Sequence, residues 1–323
     1  MTENLATAVS RFLEHKRALG RKYQSEGKEL RLLVRFADAQ GVDQLDRLTP
    51  VLFEDFLASR PRHRPRSFNH LLGTIRCFLD WAVTHELLAV SPLRTERRRI
   101  TAGRIPFIFG NVQVRQLLAA AAALPDNERA LNRGSTYRTI FVLCYGLGLR
   151  AGEACGLRLG DVDSERRLLI VRGGKFGKSR LVPHGPHIAQ VVADQVDRRR
   201  AGPLVPDFAQ APLFSFDGSR CVHPGSASQI FHRLVSTLDL VVPDGVSPPR
   251  LHDLRHSFAV GCLLRWYREG LDPASRLHQL STFMGHVDPV STAVYLTITP
   301  DLLNEAIIRF EAFAKPTLVE VAR

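Results

Sequence analysis

No stretch of the 323 residues approaches the ~20 consecutive apolar positions needed to cross a bilayer, and the opening MTENLATAVSRF lacks the basic-then-apolar pattern of a secretion signal. A cytoplasmic, nucleoid-associated protein with no membrane partner is expected. The five cysteines, Cys77, Cys144, Cys155, Cys221 and Cys262, include no CxxC pair, which argues against a zinc knuckle or a disulfide framework and predicts reduced, mostly buried thiols. Acidic residues are the scarcer charge: 32 Asp and Glu stand against 44 Lys and Arg, a formal +12. That excess favours a polyanionic partner, nucleic acid ahead of a membrane surface.

The remaining composition, 45% hydrophobic, is that of a folded chain long enough for two domains. Leu5, Val9, Phe12 and Leu13 fall on helical spacing ahead of Gly20, as do Leu30, Leu33, Val34 and Ala37 ahead of Gly41. Thr49-Pro50 reads as the cap and first residue of a third, short helix. Ser67 reads as the start of a fourth, whose Phe68, Leu71, Leu72, Ile75, Phe78, Leu79 and Ala82 form one stripe. A helical DNA-binding domain over 1–95 is predicted. Between its last two helices lies RPRHRPR, where Arg62, Arg64 and Arg66 are expected to meet phosphates rather than merely to be solvated. Residues 96–106 read as a basic linker whose Arg97, Arg98 and Arg99 cross a DNA backbone instead of resting against protein, closing the two domains around the duplex.

In 107–323, Asn111 is expected to cap a helix, and the apolar run Tyr137–Leu147 leads into GLGLRA, which formally satisfies a dinucleotide fingerprint. That fingerprint needs a strand before it and an acidic residue closing the next strand; here the lead-in is helix-like and Asp161 and Asp163 fall in a turn. Arg150 instead opens a short helix. Two strands, 167–171 and 180–182, flank a glycine-rich hairpin that presents Lys175 and Lys178. Helices over 187–199 and 226–238 read as scaffold, and Thr299-Pro300 as the cap of a last amphipathic helix that packs in its own subunit or a neighbour's.

The densest chemistry lies in 249–295. In LHDLRHSFAV, His252 and Arg255 lie one helical turn apart and share a face, while Gly285-His286 and the turn Asp288-Pro289 precede a helix carrying Tyr295. A cationic fork beside a phenol suits attack on a phosphate. The pair His252 and His256 has metal-ligand spacing, but no acidic or cysteine residue at ligand spacing completes it, so no metal is expected.

Taken in order, GLGLRAGEACGL, GKFGKSRLVP, HDLRHSFA and MGHVDPVSTAVY resemble the tyrosine recombinase (phage integrase) family, specifically over about 137–296 and only generically before residue 100. The resemblance implies a mainly α fold with a small β-sheet: an N-terminal helical core-binding (SAM-like) domain and a mixed α/β catalytic domain. It implies site-specific cleavage and rejoining of DNA strands, in integration or transposition of a mobile element, through a 3′-phosphotyrosyl intermediate without metal, ATP or other cofactor. It matches Arg150, Lys175, His252, Arg255, His286 and Tyr295 to the family's catalytic set, with Tyr295 as nucleophile, His252 as proton acceptor and Lys175, or Lys178 in its place, as general acid. The partners it implies are double-stranded recombination sites and a homotetramer, or an assembly with related recombinases, on two synapsed duplexes. A type IB topoisomerase and a non-catalytic DNA-binding regulator of the same fold are the competing readings.

Overall fold

The computed structural model describes residues 3–100, 105–174, 177–202, 207–286, 288, 290–297, 302–305 and 307–308. The chain forms two compact units, Met1–Gly103 and Arg104–Arg323. Helices dominate both, and three short strands make the one sheet among the described residues.

The first unit is four helices: α1 (Leu5–Ala18), α2 (Gln24–Ala39), α3 (Pro50–Ala58) and α4 (Pro65–Thr84). Each buries the apolar stripe its sequence spells, with Phe12, Leu33, Phe53, Phe56, Ile75 and Phe78 fully enclosed. Thr49 caps α3, its hydroxyl accepting from the Leu52 amide at 3.2 Å. The fourth helix begins at Pro65, two residues before Ser67, because a proline at the first helical position needs no hydrogen-bond acceptor and has its φ already set. Arg66 therefore lies within the helix.

The arginine-rich segments are less free than the sequence suggests. Arg62 pairs with the buried Glu29 carboxylate at 3.2 Å. Asn69 is bonded to Arg98 twice, its side-chain amide donating to the Arg98 carbonyl at 2.7 Å and accepting from the Arg98 amide at 2.8 Å. The Arg98 guanidinium lies 3.8 Å over the Phe68 ring. Residues 95–98 thus rest on α4, where the sequence reading has them standing clear of protein. Arg64, Arg66, Arg97 and Arg99 are exposed.

In the second unit α6 (Arg133–Gly146) is the central helix. It packs against α5 (Asn111–Ala122), α7 (Ala151–Cys155), α8 (Pro186–Arg200), α9 (Pro224–Val235) and α10 (Asp253–Arg268). The element before GLGLRA is therefore a helix, and the dinucleotide reading falls. Gly110 rather than Asn111 is the N-cap of α5, its amide donating to Gln113 Oε1 at 2.8 Å. Strands β1 (Val162–Asp163), β2 (Leu168–Val171) and β3 (Arg180–Pro183) form an antiparallel sheet in that order, with Val171 opposite Arg180. The sequence reading had missed the two-residue β1. Beyond α10 come α11 (Pro273–Met284), the short α12 (Val290–Ala293) and a 3-10 turn, Val294–Thr297. Tyr295 sits on that turn rather than on a helix. Thr299 and Pro300 lie outside the described residues, but Leu302 just beyond is fully buried against the α10 and α11 core. Cys144 and Cys155 are buried, Cys77 and Cys262 half-buried, and Cys221 exposed; all are free thiols.

Candidate active site

Three guanidinium groups converge on one carboxylate. Glu153, on α7, accepts from the Arg150 amide at 3.0 Å, from Arg150 Nη1 at 2.6 Å, and from Arg180 Nη1 and Nη2 at 3.1 and 2.9 Å; Arg255 Nη1 lies 3.9 Å away. Burial pushes the Glu153 carboxyl up, but the bonds from Arg180 and Arg150 outweigh it and leave it held down at about 2. Arg180 Nε also donates to the Phe283 carbonyl at 2.9 Å, and Arg150 Nη2 to the Gly285 carbonyl at 3.1 Å. The hairpin strand β3, α7 and the end of α11 are thereby tied to one point.

Arg255 is the largest fully enclosed side chain described, 1% exposed. Its Nη2 donates to the Met284 carbonyl at 2.8 Å and its Nη1 to the Gly148 carbonyl. Burial first, then repulsion from Arg150, lowers it to about 10, so it stays cationic at neutral pH. Two glycines make this approach possible. Gly148 has φ +60°, and a Cβ there would stand 2.5 Å from Phe258 of α10. Gly285 ends α11 with φ +70°, and a Cβ there would stand 2.7 Å from Arg180 Nη1. A side chain at Gly148 would push on Phe258, and one at Gly285 would push on the Arg180 guanidinium, each in a backbone conformation that favours glycine.

His286 follows Gly285 directly. Its Nδ1 lies 2.7 Å from the hydroxyl of the fully buried Thr292, and its ring stacks on Tyr295 with centroids 6.4 Å apart. Desolvation, then Arg255 and Arg150, lowers it to about 4, so it is neutral at pH 7. His252 stands on the open rim, yet the surrounding walls and then His256 and Arg255 lower it to about 4 as well. Tyr295 is only 3% exposed; burial raises its phenol and the Arg255 and Arg150 charges partly offset that. Its hydroxyl meets His256 Nδ1 at 2.8 Å.

Of the sequence-predicted catalytic residues, Arg150, His252, Arg255, His286 and Tyr295 converge in this one cluster within a single chain. Lys175 lies outside the described residues. Lys178 is exposed in the hairpin, where its carbonyl accepts from the Gly174 amide at 2.9 Å. Glu153 and Arg180 escaped the sequence reading, which weighed His256 only as a metal partner of His252. Glu153 has a faint signal, since its spacing from Arg150 is that of a capping box, whose side chain reaches back to the N-cap amide; nothing local marks Arg180. Among the described residues no group of three or more His, Cys, Asp or Glu is arranged to hold a metal, and no helix is long and apolar enough to cross a membrane.

The Phage integrase family profile matches residues 110–301, which holds every residue of the cluster. A putative integrase/recombinase (y4rB) of Sinorhizobium fredii is 33% identical over 94% of this chain and 96% of its own length. The tyrosine recombinase XerC of Corynebacterium efficiens is 30% identical over 72% of this chain and 68% of its own. Among solved structures, the Tn1549 transposon integrase in complex with transposon right end DNA matches with TM-score 0.64 at 17% identity, covering 97% of this chain and 100% of that one. A lambda integrase dimer bound to a COC′ core site matches with TM-score 0.63 at 15% identity, covering 91% and 77%. The two structures show a shared fold, and the family profile and the relatives at 30% identity or more carry the assignment: the chain belongs to the phage integrase family, as a tyrosine-type site-specific recombinase.

Proposed function

We propose that the protein exchanges DNA strands at paired recombination sites of a mobile element through a covalent link between Tyr295 and a 3′ phosphate. The observation that carries this is the convergence of Arg150, Arg255, His286 and Tyr295 in one cluster of one chain. A phenol of ordinary pKa near 10 is a poor nucleophile at neutral pH, and the phosphodiester charge repels it further. Both obstacles are electrostatic. Each terminal nitrogen of Arg150 and Arg255 carries a second hydrogen beyond the one spent on a carbonyl or on Glu153, so both forks can hold the non-bridging oxygens. They stabilise the charge added in the five-coordinate state, commonly the dominant contribution in such reactions. If Thr292 donates to Nδ1 of the neutral His286, the opposite Nε2–H is left to bond the phosphate.

Lys175 is the general acid for the departing 5′ oxygen in this reading. Its replacement by alanine is expected to be rescued by a substrate with sulfur at the bridging 5′ position, since a thiolate leaves unprotonated. Rescue of Lys178→Ala alone would move the role to Lys178. Rejoining needs no ATP because the phosphotyrosyl link retains the energy of the broken bond, and the arginines supply the positive charge at the phosphate.

Residues 1–95 and 107–323 both contact the duplex in this reading, joined through 96–106, and the working assembly is a homotetramer, or one shared with related recombinases, on two synapsed duplexes in the nucleoid. With Arg62 paired to Glu29 and the exposed Arg98 laid over Phe68, phosphate contacts fall first to Arg64, Arg66, Arg97, Arg99 and Lys178. Reversing Arg64 and Arg66 to Glu is expected to weaken DNA binding about tenfold or more and to flatten its salt dependence, measured by titration at several ionic strengths. An unchanged slope would remove that surface from the interface.

Incubating wild-type protein with plasmids carrying paired sites, in EDTA and without nucleotide, tests the function. Exchange of flanking sequence is the expected result. Relaxation of supercoils without exchange would favour the topoisomerase reading, and binding without cleavage the regulator.

A further inference from the structure

The Tyr295 hydroxyl faces a histidine that is not among the residues matched to the family's catalytic set. Its bonding partner is Nδ1 of His256, at 2.8 Å, one helical turn beyond His252 on α10. The other ring nitrogen, Nε2, faces Asp253 Oδ1 at 4.0 Å. Asp253 is fully buried and is held by Arg250, whose amide donates at 2.9 Å and whose Nη2 donates at 3.3 Å.

The carboxylate on the Nε2 side favours one tautomer. A phenol donating to Nδ1 requires the ring proton on Nε2, where it points toward the carboxylate. The opposite tautomer would turn the Nε2 lone pair toward Asp253 and leave Nδ1 no lone pair to receive the phenolic proton. Among the described residues, the groups seen to face His256 include Asp253 and the adjoining His252 from the start of its own helix, and Tyr295, with His286 stacked behind it, from the segment packed against α10. His252 meets His256 edge-on, ring centroids 4.7 Å apart, and its own ring opens to solvent at the rim.

We propose that His256 is the catalytic residue that takes the phenolic proton of Tyr295, with Asp253 as the positioning residue that fixes its ring and balances the imidazolium charge. The proposal rests on Tyr295 being the nucleophile. In cleavage the Tyr295 Oη–P bond forms, the P–O5′ bond breaks, the phenolic proton passes to His256 Nδ1, and the 5′ oxygen takes a proton from the general acid. In rejoining a 5′ hydroxyl forms the new P–O5′ bond and gives its proton to the deprotonated general acid, while the Oη–P bond breaks and the imidazolium returns its proton to Oη. His252 is then left to bond the scissile phosphate.

Single-turnover cleavage of a nicked suicide substrate tests this, beginning with the wild-type protein, whose adduct at Tyr295 establishes the underlying reading. His256→Gln retains polarity but takes no proton, and is expected to cleave about 10²–10⁴-fold more slowly with unchanged DNA affinity. His256→Ala is expected to regain rate in proportion to added imidazole, which a merely structural role would not produce. Asp253→Asn should show a smaller loss together with a displaced acid limb in the pH–rate profile. Cleavage by His256→Gln within about threefold of wild type, or imidazole rescue of His252→Ala and not of His256→Ala, would overturn the proposal. A wild-type protein that forms no adduct would overturn both it and the tyrosine reading.

Discussion

Replacing Tyr295 by phenylalanine is expected to abolish the covalent protein–DNA complex while leaving DNA affinity within about twofold of wild type. The ring is enclosed by the Val260, Leu263, Leu280 and Met284 core, and phenylalanine fills the same space. Only the hydroxyl and its 2.8 Å bond to His256 are lost, a cost of about 1 kcal/mol in stability. Binding rests on the arginines, which the change does not touch. Denaturing gels of protein on a nicked substrate read the adduct, and anisotropy reads the affinity. An adduct of wild-type yield in the variant would place the nucleophile elsewhere.

The second large effect is expected at Glu153, which touches no substrate in this account. Its carboxylate is the one anion among Arg150, Arg180 and Arg255, with a side chain 6% exposed. Glu153→Ala would leave three guanidinium groups facing one another with no counter-charge, the situation in which breaking a buried ion pair costs about 3–5 kcal/mol. For a unit of this size that is a fall in Tm of the order of 10 °C. Arg180→Ala added to Glu153→Ala should cost less than Arg180→Ala alone, because the pair shares one network. Thermal unfolding of the four proteins measures both. Near-additive losses, or a Glu153→Ala protein melting with wild type, would show that the arginines are not held together by this carboxylate. Cleavage should fall along with stability, since Arg150 loses the anchor that aims it.

The outer frame and most of the site were legible in the sequence because they depend on local rules. The four stripes of the first unit, the Thr49-Pro50 start and the short helix opened by Arg150 all follow from periodicity or capping. Five catalytic candidates were readable because their motifs place them at fixed spacing. Contacts between segments distant along the chain were not readable. That Arg180 on β3 bonds Glu153 on α7 depends on how the hairpin folds over the helix, and that Arg62 and Arg98 are occupied depends on Glu29 and Phe68, which lie elsewhere in the sequence. His256 illustrates the same limit: its spacing from His252 raised only a metal pair, which the missing third ligand argued against, while its partner, Tyr295, comes from another element. The early start of α4 was a local error, since Pro65 is a stronger start signal than Ser67.

The most direct measurement is the identity of the covalent link. Wild-type protein is incubated with a nicked duplex taken from the flanks of the element that carries its gene, the adduct is digested with protease and nuclease, and the surviving peptide is sequenced by tandem mass spectrometry. The account predicts a peptide with a deoxynucleotide joined through its 3′ phosphate to Tyr295, and a free 5′ hydroxyl on the released strand. A link at any other residue, or a link to a 5′ phosphate, would contradict it.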